Sequence, residues 1–225
     1  QGSVELENID LLALTGSQLR LTRRKIQMIF QDPYASLDPR QSVGAAIAEP
    51  IIIQGSVTKS DRRETVDALL TRVGLTPEMA TRFPHEFSGG QRQRIAIARA
   101  IAAAPDLIIA DEPTSALDVS IQAQILDLLA DLKQEKRLTM LFISHDLAVV
   151  RQVADRVAVM RQGRILELGP VDDVWSAPRH PYTQALIEAA PVPDPLRKRG
   201  LRTPLSGRFA TGKLTEAAPG HWVAL

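Results

Sequence analysis

Leu107-Ile108-Ile109-Ala110-Asp111-Glu112-Pro113 is an unbroken apolar run that ends in two adjacent carboxylates and a proline. A run without polar alternation fits a strand buried on both faces, as in the parallel sheets of α/β proteins. The acid pair then falls at the carboxyl end of that strand, the edge where open α/β sheets bind ligands. An Asp there can hold magnesium, directly or through water, and the next residue, turned the other way, can reach a water aimed at a phosphate. The plainer alternative is a pair of acids at a helix start, complementing its dipole.

Working outward, the chain downstream alternates helix and strand. A helix is predicted from Val119 to Lys133, with Ile121, Ile125, Leu128, Leu129 and Leu132 on one stripe. A strand from Thr139 to Ile143 follows, then a helix after His145. Arg156 to Met160 turns through Gln162-Gly163 into Arg164 to Leu168. This order predicts a parallel sheet with right-handed crossovers. From Pro178 onward Pro and Gly thicken, and one short helix, Pro181 to Ala189, is expected in an otherwise irregular tail. Upstream, Ser42 to Ala102 reads as helices. Ser60 is expected to cap Asp61 to Val73, Gly74 to end that helix, and Thr76-Pro77 to open a short one. The first segment reads as strand-rich, from Val4 to Glu7 and from Lys25 to Phe30, where Asp32-Pro33 stops it.

Composition bounds the rest. The 225 residues are 44% hydrophobic and 24% charged, enough for a substantial core and one domain or one domain with an appendage. Lys plus Arg number 27 against 26 Asp plus Glu, which provides no broad cationic field for a nucleic-acid backbone, so no nucleic-acid partner is expected. Cysteine is absent, which excludes disulfides, iron–sulfur clusters and thiolate zinc sites in this chain and suits a reducing compartment. The richest apolar stretch, Ala100 to Ala110, is broken by Pro105 and Asp106, too short to cross a bilayer.

Ser88-Gly89-Gly90-Gln91 precedes a helix running to Ala102. Serine and two glycines at a helix start offer backbone N–H groups, a hydroxyl and a positive dipole end to an anionic phosphate, or else form an ordinary N-cap. Phe87-Ser88-Gly89-Gly90-Gln91-Arg92-Gln93-Arg94 resembles the signature motif of ABC ATPases, followed at that family's spacing by a Walker B run, Leu107 to Glu112. Ser115-Ala116-Leu117-Asp118 is similar to the D-loop, Phe142-Ile143-Ser144-His145-Asp146 to the switch region, and Ile29-Phe30-Gln31-Asp32-Pro33 to the Q-loop. The resemblance implies an α/β fold, a P-loop NTPase (RecA-like) core carrying a helical signature subdomain and a C-terminal extension. The division it implies is residues 1–31 and 105–177 for the core, 32–104 for the helical subdomain and 178–225 for the extension.

The resemblance also implies roles. Asp111 would organise magnesium, Glu112 would act as general base or water-orienting group, and His145 would hold the γ-phosphate of ATP. Gln31 would touch the metal and the attacking water, sense the γ-phosphate and pass the change through the helical subdomain toward the membrane subunit. Ser88, Gly89, Gly90 and Gln91 would face the ATP of a second cassette paired head to tail, with Asp118 beside them. Taken alone, Gln31 reads equally as a strand-end residue bonding local backbone, His145 as a core or helix-start histidine, and Asp118 as an N-cap.

Asp32-Pro33-Tyr34-Ala35-Ser36-Leu37-Asp38-Pro39-Arg40, with His180-Pro181-Tyr182-Thr183-Gln184-Ala185-Leu186 and Pro191-Val192-Pro193-Asp194-Pro195, resembles the oligopeptide, dipeptide and nickel importer branch. That branch implies transmembrane permease subunits as partners, an extracytoplasmic solute-binding protein indirectly, and a peripheral place on the cytoplasmic face of the membrane. Many of its members carry a cysteine cluster in the extension, which this chain lacks. A soluble ABC ATPase of DNA repair or translation, or a non-catalytic cassette, are the rival readings.

A Walker A loop, G-x-x-x-x-G-K-[ST], does not occur in these residues. Gly207-Arg208-Phe209-Ala210-Thr211-Gly212-Lys213 has the spacing, but Leu214 stands where Ser or Thr is required, and the stretch follows Walker B instead of preceding it. The opening at Gln1, without methionine, resembles the strand that follows a Walker A helix, so the expectation is an N-terminally truncated cassette that binds ATP weakly by itself.

Overall fold

Fourteen residues after the Ser88 signature begins, the helix it opens has turned its apolar stripe into the centre of the first of two units. A computed structural model describes residues 2–55, 58–189, 209 and 212–224. The chain divides at Ile143 into two compact units, each taken by itself.

The first unit is built around three parallel strands: β3 (Ile26–Ile29), β4 (Leu107–Asp111) and β5 (Thr139–Ile143), with β4 in the middle. The register runs from Ile26 opposite Leu107 to Ile29 opposite Ala110, and from Leu107 opposite Thr139 to Asp111 opposite Ile143. All three strands therefore end along one edge, with Asp111 at its centre. The parallel pairing bears out the helix-and-strand alternation read around the acid pair. Before β3 the chain forms a two-residue hairpin, β1 (Glu5–Leu6) and β2 (Ile9–Asp10), and a helix, α1 (Gly16–Lys25). The segment read as strand-rich thus contains a helix, whose Arg23, Arg24 and Lys25 fall in the last turn, where basic groups complement the dipole.

Between β3 and β4 lie the helices α2 (Pro33–Ser36), α3 (Val43–Gln54), α4 (Lys59–Arg72) and α5 (Gly89–Ala102), with short 3₁₀ turns at Pro77–Thr81 and Pro84–Glu86. Thr58, not Ser60, caps α4: its hydroxyl accepts from the Asp61 N–H at 3.2 Å, which moves the helix start two residues back. On α5, Ile95, Ile97, Ala98 and Ile101 are buried. After β4, α6 (Val119–Lys136) buries Ile125, Leu128, Leu129 and Leu132 on the predicted stripe and ends at Arg137 in the left-handed region. These side chains share one core with Ile29, Ile108, Ile47 and Leu70.

The second unit departs from the parallel plan. α7 (Leu147–Val153) leads to β6 (Arg156–Arg161) and β7 (Arg164–Pro170), an antiparallel hairpin whose turn residues Gln162 and Gly163 both have positive φ, 50° and 76°. α8 (Val171–Ser176) and α9 (Pro181–Ala189) follow. The tail is not irregular at its far end: β8 (Leu214–Ala218) and β9 (His221–Ala224) form a second hairpin, giving an antiparallel sheet in the order β6-β7-β9-β8. Val223 and Ala224 are buried in it, and that burial is what recruits a tail whose proline content suggested no strands. Pro191 to Pro195 and most of the Gly207 to Lys213 stretch lie outside the described residues.

Candidate active site

The edge formed by the ends of β3 and β4 brings two of the candidates together across 81 residues. Gln31, two residues beyond β3, donates a hydrogen bond from its Nε2 to Oε2 of Glu112, the residue after β4, at 2.8 Å. Glu112 has φ +43°, a conformation uncommon outside glycine. Three hydrogen bonds hold its backbone there. Its N–H donates to the Ile143 carbonyl at 3.0 Å, and its carbonyl accepts from the Ser115 N–H at 3.2 Å and the Ser115 hydroxyl at 3.1 Å. Asp111 and Glu112 are half-buried at the strand end, while Gln31 is exposed. The left-handed step turns the two neighbouring carboxylates away from simple strand alternation.

The Ser88 to Gln91 group forms a reciprocal capping box at the start of α5. The Ser88 hydroxyl accepts from the Gln91 N–H at 3.4 Å, and Gln91 Oε1 accepts from the Ser88 N–H at 3.0 Å. The N-cap alternative is therefore real, and it keeps the helix start ordered. The two glycines differ in what they permit. A Cβ on Gly90 would lie 2.5 Å from Cγ2 of Ile121 on α6, so any larger residue here would have to displace the Ile121 side chain where α5 and α6 pack. Gly89 meets nothing closer than Leu117 Cδ2 at 3.8 Å, leaving its side toward solvent open. Arg92, Arg94 and Arg99 of the same helix staple the unit together. Arg94 donates to the Val73 carbonyl at 2.7 Å and to Gln124 at 2.9 Å, and Arg99 to the Ser36 carbonyl at 2.6 Å.

Asp118 is the N-cap of α6. It accepts from the Ile121 N–H at 3.0 Å and the Ser120 hydroxyl at 2.7 Å, and these bonds, the backbone one first, hold its carboxyl below the usual carboxylate range. His145 belongs to the second unit, two residues past β5, and is exposed. It precedes Asp146, which caps α7 through the Ala148 N–H at 2.9 Å.

Sequence reading missed a buried polar cluster in the second unit. The carboxylate of Glu167 on β7, fully buried, accepts from the Arg179 N–H at 2.8 Å and the His180 N–H at 3.0 Å, and contacts His221 Nε2 of β9 at 2.6 Å. It thus fixes the chain just before α9, whose first turn is capped by His180 Nδ1 accepting from the Tyr182 N–H at 3.0 Å, and ties down the last strand. Only the buried environment gives Glu167 its meaning, and that environment is assembled from residues up to 54 apart.

As to metal, the donors near the strand edge are the carboxylate of Asp111 and the amide oxygen of Gln31. Hard oxygen ligands of this kind suit magnesium, which takes one or two protein groups and completes its shell with phosphates and waters. Among the described residues no group of three or more His, Asp or Glu side chains is placed to hold a metal ion.

Comparison with known proteins agrees with this architecture. The sequence model described as "ABC transporter" matches residues 1–115, and that described as "Oligopeptide/dipeptide transporter, C-terminal region" matches residues 166–215. The chain is 56% identical over 206 residues to the probable peptide ABC transporter ATP-binding protein y4tS of Sinorhizobium fredii, covering 92% of this chain and 58% of that protein. It is 52% identical over 200 residues to the di/tripeptide transport ATP-binding protein DppF of Pseudomonas aeruginosa, covering 88% and 62%. The chain thus spans roughly three fifths of the length of these two relatives. Among solved structures, the ATP-binding cassette MJ0796, a dimer in a post-hydrolysis state bound to ADP and Pi, superposes with a TM-score of 0.68 at 32% identity, covering 76% of this chain and 74% of that one. With an ABC model across its first half, an importer-type model in its C-terminal part and a cassette fold, the chain belongs to the ABC transporter family.

Proposed function

We propose that the complete protein is the ATP-binding and ATP-hydrolysing subunit of an ABC importer for oligopeptides, dipeptides or a similar small solute. The observation that carries the chemistry is the Gln31–Glu112 hydrogen bond at the carboxyl edge of β3 and β4, beside Asp111. Two residues assigned to adjacent steps of one reaction, distant in sequence, meet there. The peptide subtype is supported by the C-terminal match over residues 166–215 and by the names of the relatives. That match also favours an importer over a soluble cassette of DNA repair or translation.

In this reading, residues 1–31 and 105–177 form the core, 32–104 the signature subdomain and 178–225 the importer-type extension. Asp111 and Gln31 hold magnesium, directly or through water; when bound, the metal supplies charge neutralisation on the phosphate oxygens. Glu112 accepts a proton from water as the water oxygen forms a bond to the γ-phosphorus. The bond from that phosphorus to the bridging oxygen breaks, and ADP carries away the released electron pair. His145 bonds the γ-phosphate, while Ser88 to Gln91 and Asp118 face the nucleotide held by a second ABC subunit. Closure of the pair on ATP drives permease subunits, which receive solute from an extracytoplasmic binding protein and hold the cassette at the cytoplasmic face of the membrane.

The test is Glu112→Gln in the complete protein. Loss of a general base is expected to lower hydrolysis about 10²- to 10⁴-fold, with ATP-bound dimer accumulating in size-exclusion chromatography. Undiminished turnover in that variant overturns the assignment.

A further inference from the structure

We propose that the C-terminal extension braces the helix that carries His145, with Trp175 and Ile187 as positioning residues for that histidine. The inference rests on the ATPase reading above and concerns how His145 is held. α7 begins two residues after His145 and is seven residues long, too short to keep a direction without packing. The turn around His145 is tied to it. The Asp146 N–H donates to the Ser144 hydroxyl at 3.0 Å, and the Asp146 carboxylate accepts from the Ala148 N–H at 2.9 Å and the Val149 N–H at 3.5 Å. His145, set between Ser144 and Asp146, therefore moves with α7.

What fixes α7 comes from further along the chain. The Arg151 guanidinium lies over the Trp175 ring of α8 at 4.8 Å. Leu147, Val150 and Arg151 of α7 line one apolar crevice with Val174 and Trp175 of α8 and Ile187 of α9. Thr183 of α9 lines it too, fully buried, and its hydroxyl has no hydrogen-bond partner among the described residues, so apolar packing alone joins α9 to this crevice. The start of α9 is itself anchored, because Glu167 of β7 accepts from the Arg179 and His180 N–H groups at 2.8 and 3.0 Å. A continuous run of contacts thus leads from β7 through α9 and α8 to α7 and the turn that holds His145. Coupling of this kind is a claim about energies, which a double-mutant cycle measures.

The decisive variants are Trp175→Ala and Ile187→Ala, each in the complete, assembled protein. In both we expect kcat to fall by about 10-fold. Affinity for ADP should stay within about 2-fold while affinity for a non-hydrolysable ATP analogue drops by about 5-fold, because only the analogue carries the γ-phosphate assigned to His145. Trp175→Phe keeps an aromatic face under Arg151 and should hold kcat within about 2-fold of wild type. In a His145→Ala background neither alanine substitution should add to the loss. Wild-type kcat in either alanine variant overturns the proposal, as do equal losses for ADP and the analogue or full additivity with His145→Ala. If the alanine variants do not fold, Arg151→Gln at its exposed position decides, read through the imidazole resonances of His145 in nucleotide-free protein. A shift supports the brace, and unchanged resonances overturn it. An inactive wild type, or wild-type turnover in His145→Ala, strikes the ATPase reading itself and is distinguishable from these outcomes.

Discussion

Gly90 has two jobs that its neighbours in sequence reveal only in part. The sequence suggests unhindered amides at a helix start; the structure adds that Ile121 of α6 fills the space a side chain would need. Gly90→Ala gains helix propensity of up to about 1 kcal/mol but forces a β-branched, stiff side chain to move, at a cost of about 1–3 kcal/mol. Net destabilisation of about 1 kcal/mol is expected by thermal denaturation, and Ile121→Ala on top should make the alanine at 90 tolerable. Glu167 is the second residue-scale case. Glu167→Gln puts an NH₂ group against the N–H donors of Arg179 or His180, and a loss of about 1–3 kcal/mol in the unfolding free energy is expected. Gly169 belongs to the same arrangement, since a Cβ there would crowd the His221 ring at 3.2 Å. The Asp111-Glu112 pair was legible in sequence because an apolar run points to it. Glu167 was not, because its partners arrive from α9 and β9.

The helices α5 and α6 each begin with a side-chain cap that the motifs also assign to nucleotide recognition. Ser88 and Asp118 satisfy their own helices in the structure, so the local and the family-based readings coexist instead of excluding each other. For Asp118 this gives a pH signature. Its carboxyl titrates below its ordinary value in the fold, so the ionised cap contributes above the unfolded value and is lost as pH falls through the folded one. Asp118→Asn, which also caps well, should leave unfolding at neutral pH nearly unchanged and flatten the loss of stability below about pH 4. Equal acid sensitivity in the two proteins would refute that role. Helix boundaries were legible from the stripes, but Thr58 displaced Ser60 as a cap because the two residues compete only through where the chain actually enters the helix.

At the scale of the whole molecule, the 225 residues contain no G-x-x-x-x-G-K-[ST] stretch. Such a loop supplies the backbone amides and lysine that wrap the phosphates. The chain by itself is therefore expected to bind a fluorescent ATP analogue only weakly and not to turn ATP over. Submicromolar affinity in a titration of this chain would refute the expectation. The sequence alone determined the parallel αβ order around β4, the family and the identity of the strand-end acids, because those rest on local runs and fixed spacings. Tertiary structure alone decided that Gln31 donates to Glu112, that Gly90 yields to Ile121, and that the tail returns as β8 and β9 to close over Glu167. Each of these is a contact between segments far apart in the chain, and periodicity carries no information about which distant segments will share a surface.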